Sequence, residues 1–178
     1  IKLCKNKKKT TNITNSDDYI NRFYEKNDDP KNPGACLFAV CRGKLSEGID
    51  FSDHRGRMVC LVGIPFPPVS DPKTIIKQEY LDNLKKQTNK NSNSMSLGLS
   101  GQEWYKQNAM RSVNQAIGRV LRHKKDFGAI LLMDSRFSYS SNQTYLSKWV
   151  RNYLTEFTDF RDCIEKVGQF YSKNQKNY

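Results

Sequence analysis

The sequence predicts an α/β fold, a mostly parallel sheet with helices on both faces, and three observations predict it. Residues 36–41 (Cys-Leu-Phe-Ala-Val-Cys), 58–64 (Met-Val-Cys-Leu-Val-Gly-Ile) and 129–133 (Ala-Ile-Leu-Leu-Met) are short runs, apolar nearly throughout. Strands buried on both faces of a parallel sheet read this way, because neither face alternates toward water. Long segments with apolar residues at helical spacing separate the runs, as right-handed crossovers between parallel strands require. The 178 residues suffice for one domain with a sizeable core.

Residues 1–16 are rich in Lys, Thr and Asn without period and are expected to be a loop. Asp17 or Asp18 caps a helix carrying Tyr19, Ile20, Phe23 and Tyr24, which ends before the turn signals at 30–34. The run at 36–41 is the first strand and 58–64 the second. Pro65, Pro67, Pro68 and Pro72 punctuate the exit from the second, and residues 74–86 then have helical spacing through Ile75, Ile76, Tyr80, Leu81 and Leu84. Residues 88–99, rich in Asn and Ser, read as a flexible insertion. Ser100-Gly-Gln-Glu103 is a capping-box pattern that starts a central helix. A short helix is expected over 142–151, with Tyr145, Leu146, Trp149 and Val150 apolar. A last one begins at about Asp159, carrying Phe160, Ile164, Val167, Phe170 and Tyr171.

Thirty Lys and Arg against eighteen Asp and Glu leave a formal charge of +12, a surplus that favours a polyanionic partner, nucleic acid or nucleotide. The five cysteines (Cys4, Cys36, Cys41, Cys60, Cys163) lack Cys-x-x-Cys spacing, so neither a zinc site nor a disulfide framework is indicated. Cys36, Cys41 and Cys60 read as small buried hydrophobes. No apolar run approaches the roughly 20 residues of a membrane span and no charged-then-apolar leader opens the chain. The expectation is a soluble, intracellular protein with no membrane partner. Because the chain opens at Ile1 rather than Met, a piece of a longer protein is expected.

The stretch Asn-Gln-Ala-Ile-Gly-Arg-Val-Leu-Arg, residues 114–122, organises the rest. At about 100° per residue, Met110, Val113, Ile117, Val120 and Leu121 fall on one stripe of a helix, while Gln115, Arg119 and Arg122 share the opposite arc. Two guanidiniums and an amide on a helix anchored in a core form a fork for phosphate oxygens, where a merely solvated face is the bland alternative. A glycine inside a helix costs about 1 kcal/mol against alanine, so Gly118 suggests that something packs or binds closely beside it.

The first apolar run leads into Arg-Gly-Lys-Leu-Ser-Glu-Gly-Ile-Asp-Phe, residues 42–51. Ligands of open parallel sheets sit beyond the carboxyl ends of strands, so this loop is a candidate site. Gly43 and Gly48 allow close backbone approach, Arg42 and Ser46 suit a phosphodiester, and Asp50 suits a ribose hydroxyl. It is not a Walker A loop, because Leu45 follows Gly43-Lys44 and Phe38 stands where the first glycine belongs. Asp134 imitates a magnesium-holding aspartate but lacks that loop as partner, and is expected to order its turn with Arg136. His54 and His123 have no second ligand at metal spacing and read as structural or solvated. Trp104, Tyr105 and Trp149 read as core.

Residues 42–51 followed by Gln-Ala-Ile-Gly-Arg-Val-Leu-Arg resemble motifs V and VI of superfamily 2 helicases, and the Ser-Glu-Gly-Ile-Asp-Phe form is similar to the iron–sulfur DNA helicase branch. The resemblance covers about residues 34–171, and the Asn- and Ser-rich stretch at 89–96 departs from it. It implies that residues 17–178 are the second RecA-like motor domain of an ATP-dependent 5′-to-3′ DNA helicase. Gln115, Arg119 and Arg122 would face the ATP γ-phosphate, the arginines as fingers. Glu47, Gly48 and Asp50 would couple nucleotide to DNA, with Arg42, Lys44 and Ser46 nearest the strand. The implied cofactors are ATP and Mg2+, shared with an N-terminal motor domain of the same protein, and an iron–sulfur cluster held outside this chain. The implied partners are single-stranded and forked DNA, in the nucleus. A non-catalytic nucleic-acid-binding α/β module is the alternative; it shares the charge and loops but has no need of the arginine fork.

Overall fold

The computed structural model of the chain describes residues 16–32, 34–43, 51, 53–91, 98–121 and 126–174. They fall in two compact units, Ile1–Asp50 and Phe51–Tyr178. The expected lead-in before residue 16 lies outside the described residues.

In the first unit α1 spans Ser16–Asp28, with Asp17 and Asp18 in its first turn, where carboxylates favour the positive end of the helix dipole. Asp29 ends it: its carboxylate accepts from the Lys31 amide at 3.0 Å and its carbonyl from the Asn32 amide at 3.0 Å. The strand expected at 36–41 does not form. Residues 34–40 have no regular structure, with Phe38 87% and Val40 81% exposed and Cys36 exposed rather than buried. An apolar run becomes a strand only where another strand offers a ladder, and the described residues of this unit contain none. A turn closes the run, Gly43 N donating to the Val40 carbonyl at 3.0 Å, with Arg42 at φ 66° in the left-handed region.

In the second unit β1 (Met58–Val62) and β2 (Ala129–Met133) pair in parallel, from Met58 opposite Ala129 to Val62 opposite Met133. α2 (Pro72–Asn91) starts two residues earlier than its apolar spacing indicates. Asp71 caps it, accepting from the Thr74 hydroxyl at 3.1 Å, and Pro72 fills the first helical position. Its far end runs into the expected insertion, whose residues 92–97 lie outside the described set. α3 (Gly101–Ile117) opens with the expected capping box: Ser100 Oγ accepts from Glu103 N, and the Glu103 carboxylate accepts from Ser100 N at 2.8 Å. Gly101 lets it approach α2, since a Cβ there would lie 2.6 Å from the Gln78 carbonyl oxygen.

Ala109, Met110, Val113 and Ile117 of α3 are fully buried, and Leu61, Val120, Phe137, Leu146 and Val150 are buried with them. Each large side chain among them contributes about 1.5–3 kcal/mol of transfer free energy. α3 runs antiparallel to the strands. Tyr105, in its second turn, donates to the Pro67 carbonyl beyond the carboxyl end of β1 at 2.7 Å, whereas Val120 packs against Gly128 just before β2.

The helix expected over 142–151 is instead two single turns, α4 (Ser140–Gln143) and α5 (Lys148–Arg151), and Trp149 is 42% exposed rather than core. Cys60 is exposed too, because α3 covers the face of β1 that carries Leu61 while Met58, Cys60 and Val62 point away from it.

α6 (Phe160–Asn174) is amphipathic as expected, yet holds on by its last turns. The Tyr171 hydroxyl donates to the Arg57 carbonyl and accepts from Ala129 N at 3.2 Å, bridging the amino ends of both strands. Burial raises the pKa of that phenol. Arg57 donates to Asp126 Oδ1 at 2.6 Å and to the Phe127 carbonyl at 2.8 Å, with its guanidinium 4.0 Å from the Phe127 ring centre.

Candidate functional site

α3 is the rigid base of the site, because a helix with one face fully buried holds its other face still. Gln115 stands exposed in its last turn. Its neighbour Asn114 turns inward, Nδ2 donating to the Tyr145 carbonyl at 2.8 Å and Oδ1 accepting from Ser147 N at 2.8 Å and Ser147 Oγ at 3.0 Å. The sequence reading assigned Asn114 no role. This clamp fixes the loop beside Gln115.

The helix stops at Ile117, earlier than the apolar stripe indicates. Gly118 is its C-cap in right-handed conformation, φ −65°, and a Cβ there would meet only the Asn114 carbonyl oxygen at 3.3 Å and the Gln115 carbonyl oxygen at 3.8 Å. Among the described residues no other element packs against this glycine. Arg119 therefore sits in a turn just past the helix, half-buried, its amide on the Ala116 carbonyl at 3.2 Å. Buried Ile117 and Val120 fasten the turn on either side. Gln115 and Arg119 are brought to the same end of α3, by a helix end rather than by a shared helical face. Arg122 and His123 lie outside the described residues.

Of the other candidates, Arg42 is exposed in the first unit. Lys44, Ser46, Glu47, Gly48 and Asp50 lie outside the described residues. His54 is exposed in a single 3-10 turn, Asp53–Arg55.

Beside Gln115 an open depression of about 450 Å³ is lined by Gln107, Met110, Arg111, Asn114, Gln115 and Tyr145. Gln107, Arg111 and Gln115 recur every fourth residue, so the helical period was the signal that could have added Gln107 and Arg111.

At the opposite, carboxyl end of the strands, Asp134 and Arg136 form the expected pair. Arg136 Nε and Nη2 donate to the two carboxylate oxygens at 2.9 and 2.6 Å. These bonds hold the Asp134 carboxyl down to about 2. Among the described residues no three His, Cys, Asp or Glu side chains converge as metal ligands, and no helix is long and apolar enough to cross a membrane.

Comparison with known proteins decides the family. A family model described as helicase C-terminal domain matches residues 2–153, most of the chain. The chain belongs to the helicase C-terminal domain family. It is 47% identical over 157 residues to regulator of telomere elongation helicase 1 of Rattus norvegicus, covering 88% of this chain and 12% of the relative. It is 45% identical over 152 residues to the Homo sapiens protein of that name (85% and 12%), and 48% identical over 155 residues to the homolog in Drosophila mojavensis (85% and 14%). The chain thus spans only about an eighth of the length of the relatives it matches. In this helicase C-terminal domain, α1, both strands and α2 to α5 lie within the matched residues. α6 lies beyond them, although its Tyr171 ties the strands together.

Proposed function

We propose that the chain is the second RecA-like motor domain of an ATP-dependent 5′-to-3′ DNA helicase, and that it supplies motif V and the motif VI arginines to ATP held by a first motor domain of the same protein. The observation that carries this reading is the end of α3: Gln115 and Arg119 presented together by a helix whose opposite face is fully buried, within a helicase C-terminal domain.

In this reading Arg119 and Arg122 stabilise the charge that develops on the transferring γ-phosphoryl group, and the Gln115 amide contacts it. Glu47, Gly48 and Asp50 couple that event to a strand lying along Arg42, Lys44 and Ser46. The +12 charge suits single-stranded and forked DNA. The relatives' name points to telomere maintenance, and with it we propose a nuclear role that extends to DNA repair and recombination. In this reading ATP and Mg2+ are shared with the first motor domain and an iron–sulfur cluster is held outside this chain, and no step here runs through them.

The test is ATP hydrolysis by the full-length protein with and without single-stranded DNA. Turnover that rises with DNA and collapses in Arg119→Ala supports the motor. Turnover indifferent to Arg119, or absent altogether, favours a non-catalytic nucleic-acid-binding module. The 178-residue domain by itself is expected to turn over no ATP.

A further inference from the structure

The carboxyl edge of the two strands carries a second cluster, far from the nucleotide end. From Tyr105 to Gln115 the α3 axis advances about 15 Å at about 1.5 Å per residue. At the Tyr105 end the Phe66 ring stacks on the Tyr105 ring, centroids 5.1 Å apart and planes 23° apart, and the Arg136 guanidinium lies over Phe66 at 5.6 Å. The Tyr105 hydroxyl bonds the Pro67 carbonyl, which pins the lower ring to the loop that carries the upper one. Arg136 remains 47% exposed, and Tyr139, three residues on, is 57% exposed.

We propose that this ladder of Tyr105, Phe66 and Arg136, with the exposed Tyr139 ring beside it, is a stacking platform for one unpaired base of a single nucleic-acid strand. The proposal rests on the half-motor reading and gives the strand a contact outside the residue 42–51 loop. The state of Arg136 favours a base over a phosphate. Asp134 takes one edge of the guanidinium, Nε and Nη2, and its carboxylate offsets the charge that would draw a phosphate. The flat face of the guanidinium stays partly open, the side chain being 47% exposed. The bidentate bond holds that face in one plane, so little rotamer freedom is lost when a base stacks on it. Stacked rings and guanidiniums accept any base, which suits a motor moving along arbitrary sequence. The location fits as well, since ligands of parallel sheets bind beyond the carboxyl ends of strands.

The test measures binding of the full-length protein, without nucleotide, to a fluorescent thymidine oligomer and to an abasic oligomer of equal length. The native protein should prefer the base-bearing strand. Arg136→Ala and Tyr139→Ala should each weaken that binding roughly tenfold, within the range of one stacked base, while abasic affinity stays level. Arg136→Lys, which keeps the charge and loses the plane, should behave like Arg136→Ala. Equal affinity of the native protein for both oligomers overturns the platform, as does full affinity in Arg136→Lys. Should Arg136→Ala fail to fold, Tyr139→Ala decides alone, and native affinity in that variant overturns the proposal. These failures leave the half-motor reading intact while the native protein still hydrolyses ATP on single-stranded DNA; loss of that activity overturns both.

Discussion

Asn114 holds Ser147. Its Oδ1 takes both the Ser147 amide and hydroxyl, and its Nδ2 reaches past them to the Tyr145 carbonyl. One half-buried side chain thereby joins the last turn of α3 to the loop between α4 and α5, directly behind Gln115. Asn114→Ala leaves a partly buried amide and carbonyl without partners, at a cost of about 2 kcal/mol. Thermal melts should fall by roughly 4–8 °C at this chain length. An unchanged melting temperature would mean that water replaces the clamp.

Arg57 and Asp126 make a different kind of contact, because the Asp126 side chain is fully buried while that of Arg57 is 25% exposed. Removing the cation leaves a carboxylate in the interior, so Arg57→Ala should destabilise by about 3 kcal/mol or more. The double variant Arg57→Met with Asp126→Leu should recover much of that loss. Denaturant titration of the three proteins checks it. Equal destabilisation of single and double variants would show that the energy lies elsewhere.

The glycines at the two ends of α3, Gly101 inside its first turn and Gly118 at its C-cap, should respond differently to alanine. At Gly101 the new Cβ meets the Gln78 backbone at 2.6–2.9 Å, which neither helix can relieve without moving. Gly101→Ala should cost about 1–3 kcal/mol. Gly118→Ala adds a methyl in right-handed conformation 3.3 Å from the Asn114 carbonyl oxygen, a milder contact, and should change stability by less than about 1 kcal/mol. Paired melts that reverse this order would contradict the packing described.

The Asp134 carboxyl, held down to about 2 chiefly by the Arg136 hydrogen bonds, contributes to stability with a definite sign. Its folded pKa lies below the unfolded value of about 3.9. The contribution is therefore present above about pH 4 and is lost as pH falls toward 2. Asp134→Asn should be less stable than the native protein at pH 7, and the gap should narrow between pH 4 and pH 2. A gap constant over that range would remove the pair from the acid response.

In the full-length protein, Arg119→Ala and Arg122→Ala should each reduce single-turnover ATP hydrolysis by roughly 10³-fold while leaving ATP binding largely intact, the scale of an arginine finger. Arg122→Lys should rescue poorly, since an ammonium lacks the planar fork. Hydrolysis at the native rate would return these arginines to a solvated role.

The sequence by itself determined the parts whose physics is local. The β2 run, the Ser100–Glu103 capping box, the buried stripe of α3 and the Asp134–Arg136 turn were all legible, because period, capping chemistry and short-range pairing act within a few residues. The two helicase motifs were legible as text, yet where the motif VI helix ends was not. Ile117 and Val120 are both buried, but a turn rather than a further helical turn carries Val120 inward, and that places Arg119 off the helix. Other outcomes belonged to the tertiary structure because their partners are remote in sequence. Residues 140–151 break into two single turns where Asn114, more than thirty residues away, takes the Tyr145 carbonyl and Ser147 amide that a continuous helix would need for itself. The run at 36–41 has no ladder among the described residues, and the Arg136 ladder arises only because the loop after β1 lays Phe66 between Tyr105 and the turn after β2. An apolar run states that burial is favourable; which surface provides it is decided by long-range packing, and no period in the sequence encodes that.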